Sequence, residues 1–286
     1  MPVDEHGQHV DSGGRVWHVC ANSALSGCTW LADSPGGRCF SCEMTRTRPS
    51  DDDVKGLAEY PIAESAKRRL IVELDDLDLP IRTRQEDPEM GLAFDLLSSV
   101  DAKVTIGHAD GVITLDLAES NDVHRERLRV SMDEPYRTML GHFRHEIGHF
   151  YWQQLVAGHD QRLSEFRELF GDERESYADA MERHYGQGAP SEWQTRFISQ
   201  YATMHPWEDF AETFAHYLHI CDTVETASAY GLATVASPKQ FSSFRDLVTG
   251  VWVPLSIALN QINRSMGKEA LYPFVIPGPV LDKLEY

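Results

Sequence analysis

The sequence predicts an α+β protein, mostly helical, with a small antiparallel sheet and a short Cys-rich segment in front. Three observations carry this. Apolar residues recur at helical spacing: Ile62, Ala66, Leu70 and Leu74 fall four apart, and Phe210, Ala211, Phe214, Ala215 and Leu218 repeat at one, three and four. Two short β-branched runs, Lys103 to Ile106 and Val112 to Leu117, flank a turn from Gly107 to Gly111, the pattern of an antiparallel hairpin. Four of the five cysteines, Cys20, Cys28, Cys39 and Cys42, lie before residue 43.

In chain order, residues 1–14 are polar and Gly-rich and read as disordered. Residues 15–50 form the Cys-rich module. Cys39-Phe40-Ser41-Cys42 is a C-x-x-C knuckle of the kind that clips a metal or forms a redox pair, whereas seven residues separate Cys20 from Cys28, a looser spacing. Four thiolates would build a tetrahedral structural zinc site in a segment too short to have its own core; His18 is a substitute ligand, and free thiols or disulfides are the alternative. Residues 51–80 hold the end of a linker (46–53, with Pro49 and three aspartates) and a helix over 56–74 that Pro80 ends, with Lys67, Arg68 and Arg69 expected on its exposed side.

Residues 81–286 form the main domain. A short apolar stretch over 91–97 leads to the hairpin, where His108 reads as a turn histidine, and the charged stretch 119–129 reads as a surface connection. A long helix is expected from Glu134-Pro135 to about Leu155, stopped by Gly158. Further helices are expected over 166–170, 175–185 and 193–201. A long apolar helix over 241–266, kinked at Pro254, reads as core packing. The tail, with Pro273, Pro277 and Pro279, reads as an extended wrap packing back on the core.

Composition excludes some partners. The 286 residues are 42% hydrophobic, enough for one large core or for a small module plus a catalytic domain. Lys+Arg is 26 and Asp+Glu is 45, a net charge of -19, which disfavours nucleic acid and anionic membrane surfaces. No basic start precedes an apolar run, and no stretch is long and apolar enough for a transmembrane helix. With an odd number of cysteines, the expectation is a soluble cytoplasmic protein with reduced thiols.

The chemistry lies in the long helix. His145-Glu146-Ile147-Gly148-His149 reads H-E-x-x-H. Residues four apart share a helical face, so His145 and His149 can point at one metal ion, with Glu146 placed to touch a metal-activated water as general base. Two ordinary histidines on a polar face are the plain alternative. His142, three residues earlier, is the most tempting decoy. A third ligand is expected from the second helix, His205-Pro206-Trp207-Glu208-Asp209-Phe210-Ala211-Glu212 onward, where Glu208 and Glu212 share a face. One would bind the metal while the other holds a ligand histidine.

These runs, with Ala66-Lys67-Arg68-Arg69-Leu70, Gly107-His108-Ala109-Asp110-Gly111-Val112-Ile113-Thr114 and Glu134-Pro135-Tyr136-Arg137-Thr138, resemble the bacterial zinc-binding metallopeptidases that carry an N-terminal zinc-ribbon-like segment, within the zincins whose third ligand is glutamate. The resemblance runs from about Cys20 almost to the C-terminus. It implies a zincin-like catalytic domain over 81–286 and a catalytic Zn2+. It implies Glu208 as ligand, because Glu208, Ala211, Phe214 and Ala215 match the family's E-x-x-A-x-x-F-A frame, and Glu212 as the residue supporting a ligand histidine; the exchange of the two is the alternative. Family members usually carry an extra upstream C-x-x-C, so this ribbon looks shortened. Zincins also place an edge strand above the metal, for which Val112 to Leu117 is the candidate.

The activity implied is hydrolysis of a peptide or protein substrate, Glu146 moving the proton. Tyr201, His205, His216, Tyr217 and His219 are candidates for stabilising the oxyanion, His205 and Tyr217 foremost. The 58 residues between His149 and Glu208 are expected to cover or rim the cleft. The alternatives are a zinc-stabilised interaction protein without turnover and a latent protease opened by a partner.

Overall fold

The periodic segments become the elements of a computed structural model that describes residues 9–99, 104–120, 138–233 and 237–286. Lys103, most of the charged run 119–129 and the expected helix start at 134–137 lie outside the described residues. The architecture is α+β, mostly helical, with small sheets, as the sequence predicts. The chain divides into two units, Met1–Phe143 and Arg144–Tyr286.

In the first unit, strands β1 (His9–Val10), β2 (Val16–Val19) and β3 (Leu31–Ala32) pair antiparallel. The short helices α1 (Ser23–Ser26) and α2 (Phe40–Glu43) follow β2 and β3 in turn. Helix α3 (Val54–Asp76) is capped by Asp53, whose side chain accepts from the N–H of Gly56, and packs on α1, α2 and the sheet strand β5. Its buried face contains Tyr60, Ala63, Leu70, Ile71 and Leu74. That face corrects one expectation: Lys67 and Arg68 are buried and Ile62 is exposed, because Lys67 meets Glu64 and Thr45 inside the unit.

The second sheet runs β4 (Thr45–Thr47), β5 (Ala93–Leu97), β7 (Val112–Asp116), β6 (Gly107–Ala109). The β6–β7 hairpin is antiparallel, and the other pairings are parallel. Three details differ from the sequence reading. The first hairpin strand is Gly107–Ala109, and the turn is Asp110-Gly111, with φ 48° and 77°, the tight two-residue type that Asp-Gly favours. β7 is bonded on both sides, so it is an interior strand and β6 is the edge. The expected linker contributes β4, where Arg46 pairs with Asp95 of β5.

Helix α4 (Met139–Leu155) is cut by the division after Phe143. In the second unit, α5 (Asp160–Phe170), α6 (Tyr177–Gln187) and α7 (Pro206–Ala229) match expected helices. The segment 193–201 does not form a helix; it holds a 3-10 turn at Trp193–Thr195 and leads into another at Tyr201–Thr203. The long C-terminal helix is interrupted: α8 (Phe244–Leu247) passes through a π turn at Val248–Trp252 into α9 (Val253–Ser265), and Pro254, lacking an N–H, sits at the start of α9. Leu247, Val248 and Trp252 are core, while Ile257 and Ile262 of α9 are exposed, so only the first half packs as expected. The tail ends in helix α10 (Gly278–Glu285), whose Val280, Leu281 and Leu284 join that core.

Gly111 tests the hairpin. A Cβ there would lie 2.3 Å from the carbonyl oxygen of Met90, at a φ that disfavours side chains. Gly111→Ala should lower stability by more than about 1 kcal/mol in urea unfolding, whereas Gly186→Ala in α6, with nothing within 4 Å, should leave it unchanged or raise it.

Candidate functional site

Both histidines of the motif lie one turn apart on α4, and Glu208 and Glu212 lie one turn apart on α7. Helix α7 starts sharply: Pro206 occupies its first turn and His205 is its cap, accepting from the N–H of Trp207 through Nδ1 at 3.1 Å. The two helices meet at Gly148, where a Cβ would lie 2.9 Å from the Cα of Ala211 and 3.3 Å from the Cβ of Phe214. A glycine costs a helix about 1 kcal/mol relative to alanine; here it admits the neighbouring backbone. Around this contact, Trp152, Phe166, Phe170 and Phe210 pack with ring centroids 5.0 to 6.0 Å apart.

Three donor atoms converge. Nε2 of His145 is 3.2 Å from Nε2 of His149 and 3.0 Å from Oε2 of Glu208, which is 3.5 Å from Nε2 of His149. Zinc bonds of 2.0–2.1 Å in a tetrahedron put donor atoms about 3.3–3.4 Å apart, so this triangle fits a zinc ion with one position left over. Hydrogen bonding alone accounts for only part of the triangle: if both Nε2–H groups donate to Glu208 Oε2, the 3.2 Å approach of the two nitrogens carries no hydrogen bond. Burial alone would lower the His145 pKa, but Glu208 and Glu212 outweigh it and hold it well above the ordinary histidine range. Burial would raise Glu208, and the two histidines hold it well below the carboxylate range.

Glu212 does not join the triangle. Its Oε1 is 2.8 Å from Nδ1 of His145, and its Oε2 accepts from Ser199 Oγ at 2.7 Å. A carboxylate that accepts the hydrogen bond from Nδ1–H fixes the tautomer whose Nε2 lone pair is free for a metal. The other oxygen of Glu208 is also held: Tyr177 Oη donates to Oε1 at 2.9 Å, and Tyr201 donates to Tyr177. The Tyr201 ring lies 5.8 Å from that of His145. Glu146 is buried, its pKa raised chiefly by burial, and its Oε2 has no hydrogen-bond partner among the described residues.

The other expected residues lie elsewhere. His205 has both nitrogens engaged, Nε2 being 3.2 Å from the carbonyl of Glu175. Tyr217 packs between Phe214 and Phe244. Nδ1 of His216 is 2.7 Å from Tyr272 Oη, and Nδ1 of His219 is 2.5 Å from Arg144, which also pairs with Asp222. His142 is not in the donor group. Tyr177 and Ser199 were not legible in the sequence: they reach α7 from 31 and 13 residues away with no shared periodicity.

In the first unit, Cys20, Cys28, Cys39 and Cys42 are all buried free thiols with their sulfurs within 4.8 Å of one another. Cys28 and Cys39 are 3.6 Å apart, and the N–H of Cys39 donates to Cys20 Sγ at 3.3 Å. A zinc–thiolate tetrahedron with 2.3 Å bonds has edges of about 3.8 Å, so the tetrad also fits a metal ion. His18 pairs in β2 opposite Ala32, outside that group.

Residues 56–286 match the model of a family described as "Putative zinc-binding metallo-peptidase". The chain belongs to this family. It is 56% identical over 274 residues to proteins of Mycobacterium bovis and of two strains of Mycobacterium tuberculosis, each named as an uncharacterized protein; the match covers 94% of this chain and 80% of each relative. No solved structure matches it. The family match begins after the cysteine tetrad, so the four thiols stand on their own geometry. Among the described residues no helix is long and apolar enough to cross a membrane.

Two outcomes follow from this geometry. Gly148→Ala should force α4 from α7 and weaken zinc binding at the histidines about 10-fold or more, read by competition with a chelator, with helix content unchanged by circular dichroism. Burial pushes His216 down to about 4. The unfolded imidazole titrates near 6.5, so unfolding takes up a proton between about pH 6.5 and 4. The stability of the metal-stripped protein should therefore fall as pH drops through that window and level off below it. His216→Phe should flatten that part of the profile of urea midpoint against pH.

Proposed function

We propose that the protein is a zinc-dependent peptidase that hydrolyses amide bonds in a peptide or protein substrate, with Glu146 as general base. The observation that carries this reading is Glu146 itself: a buried carboxylate with one oxygen unpartnered, beside a donor triangle of zinc dimensions. His145, His149 and Glu208 would hold the ion. Bound there, zinc would supply Lewis acidity to the scissile carbonyl and to water.

The chain's own residues do the rest. Glu212 fixes the His145 tautomer, and Tyr177 holds the far oxygen of Glu208 so that Oε2 alone faces the donor triangle. Glu146 takes a proton from the attacking water and gives it to the leaving amine; a pKa raised by burial suits a carboxylate that must hold a proton between the two steps. Of the five oxyanion candidates, we assign the role to Tyr201, whose ring lies beside His145 and whose single O–H would turn from Tyr177 to the oxyanion; His205, His216 and His219 are held by other partners and Tyr217 packs between Phe214 and Phe244. The net charge of -19 favours neutral or basic peptides over nucleic acid, in a cytoplasmic setting where the five thiols stay reduced.

Latency is a second reading, favoured by burial: the side chains of His145 and His149 are only 14% and 19% exposed and that of Glu208 3%. Elemental analysis and peptide-library cleavage test both readings together. The parent should carry two equivalents of zinc. Glu208→Gln should lose one, a Cys39→Ser/Cys42→Ser double change the other, and Glu146→Gln should keep both while turnover falls by about 100-fold or more. Zinc retained without cleavage until limited proteolysis would favour latency. A single equivalent, insensitive to Glu208 and abolished by the cysteine change, would end the peptidase reading.

A further inference from the structure

The buried cluster beneath the cysteines has no role in the proposed reaction. Glu64 and Lys67 of α3 are both 0% exposed. Lys67 Nζ donates to Glu64 Oε1 at 2.8 Å and to Thr45 Oγ1, and it lies over the Phe94 ring, 5.5 Å from the centroid. Thr45 Oγ1 donates to Glu64 Oε1 at 2.5 Å. The second oxygen of Glu64 faces the four cysteines: it lies 3.7 Å from Cys42 Sγ and 3.6 Å from Arg68, which also donates to the carbonyl of Ser26 at 3.3 Å.

Charge makes this arrangement informative. Zinc on four thiolates leaves a net charge of about -2, here on four buried cysteines. Glu64, against Cys42, adds another negative charge. A Lys–Glu pair alone would be self-neutral; beside a tetrathiolate it stands at the positive end of an excess of negative charge.

We propose that Lys67 is a positioning residue for the four-cysteine metal centre: its buried ammonium is the counter-charge that lets the four thiolates and Glu64 share one site. Arg68, also buried, supplies the second cation. The inference concerns metal retention in the first unit and is independent of the proposed peptidase activity.

The two members of the pair then act with opposite sign, which an ordinary buried ion pair does not. The test uses the full chain loaded with Co2+, whose thiolate charge-transfer absorption reports the cysteine centre separately from the histidine site, and follows its decay after a chelator is added. Lys67→Met should speed metal loss about 10- to 100-fold, Lys67→Arg should stay near the parent, and Glu64→Gln should slow loss. Loss that is faster in Glu64→Gln as well as in Lys67→Met, or unchanged in both, would reduce the cluster to an internal ion pair and overturn the proposal. If circular dichroism shows Lys67→Met unfolded, the direction of the Glu64→Gln change decides alone.

Discussion

The close approach of α4 and α7 at Gly148 and Ala211 is the constraint on which the metal site depends. With backbones this near, a side chain leaving either helix needs little reach to meet the other. His145 therefore lies between two carboxylates one turn apart, Nε2 toward Glu208 and Nδ1 toward Glu212. One imidazole spans the helical repeat of its neighbour, and that repeat sets which carboxylate joins the donor triangle. The aromatic cluster of Trp152, Phe166, Phe170, Phe210 and Phe214 supports the crossing by filling the space beside it. A wider crossing would separate the three donors together, since they come from only two rigid elements.

Buried charge is the second organising feature. Lys283 of the C-terminal helix pairs with Asp209 at 2.5 Å and also donates to the carbonyl of Arg196 at 2.9 Å. It thereby ties the end of the chain to the residue next to Glu208. Burial pushes the Asp209 carboxyl up to about 7 in spite of this partner. Arg144 likewise joins His219 and Asp222, placing a cation one residue from His145. Isolated ion pairs of this kind contribute little net stability, but losing one partner strands the other and costs about 3–5 kcal/mol. Their effect is to fix geometry: each binds an α7 residue to a segment distant in sequence.

What the sequence made legible follows the range of the interactions. The H-E-x-x-H run and the Glu208/Glu212 pair are local, so spacing alone puts each pair on one helical face. The choice of Glu208 rests on the resemblance to the family frame, and the hairpin is legible although its turn is shorter than the Gly107–Gly111 stretch the sequence suggests. The four cysteines were recognisable as a set, although the seven-residue gap gave no geometry; the fold closes it. Lys67 was misplaced because a charge on a helix is ordinarily solvated, and only the tertiary arrangement supplies Glu64 and Thr45. β7 read as an edge strand because pairing partners are not encoded in a strand's own alternation. Residues 193–201 have helical apolar spacing yet form turns, since Ile198 packs into the C-terminal core and Ser199 turns its hydroxyl to Glu212.

The proposed hydrolase and a metal-stabilised scaffold differ in what they would gain from Glu146. A scaffold needs His145, His149 and Glu208 and would gain nothing from the further carboxylate of Glu146. Burying a carboxylate oxygen without a hydrogen-bond partner costs about 1–3 kcal/mol, more when it is charged, and the repulsion of Glu208 and Glu212 adds to the burial that raises its pKa. An alanine or glutamine there would remove the charge at no loss to the three donors. In the proposed reading the carboxylate becomes favourable when a proton donor lies against Oε2, and a water beside a zinc ion held by His145, His149 and Glu208 would be that donor.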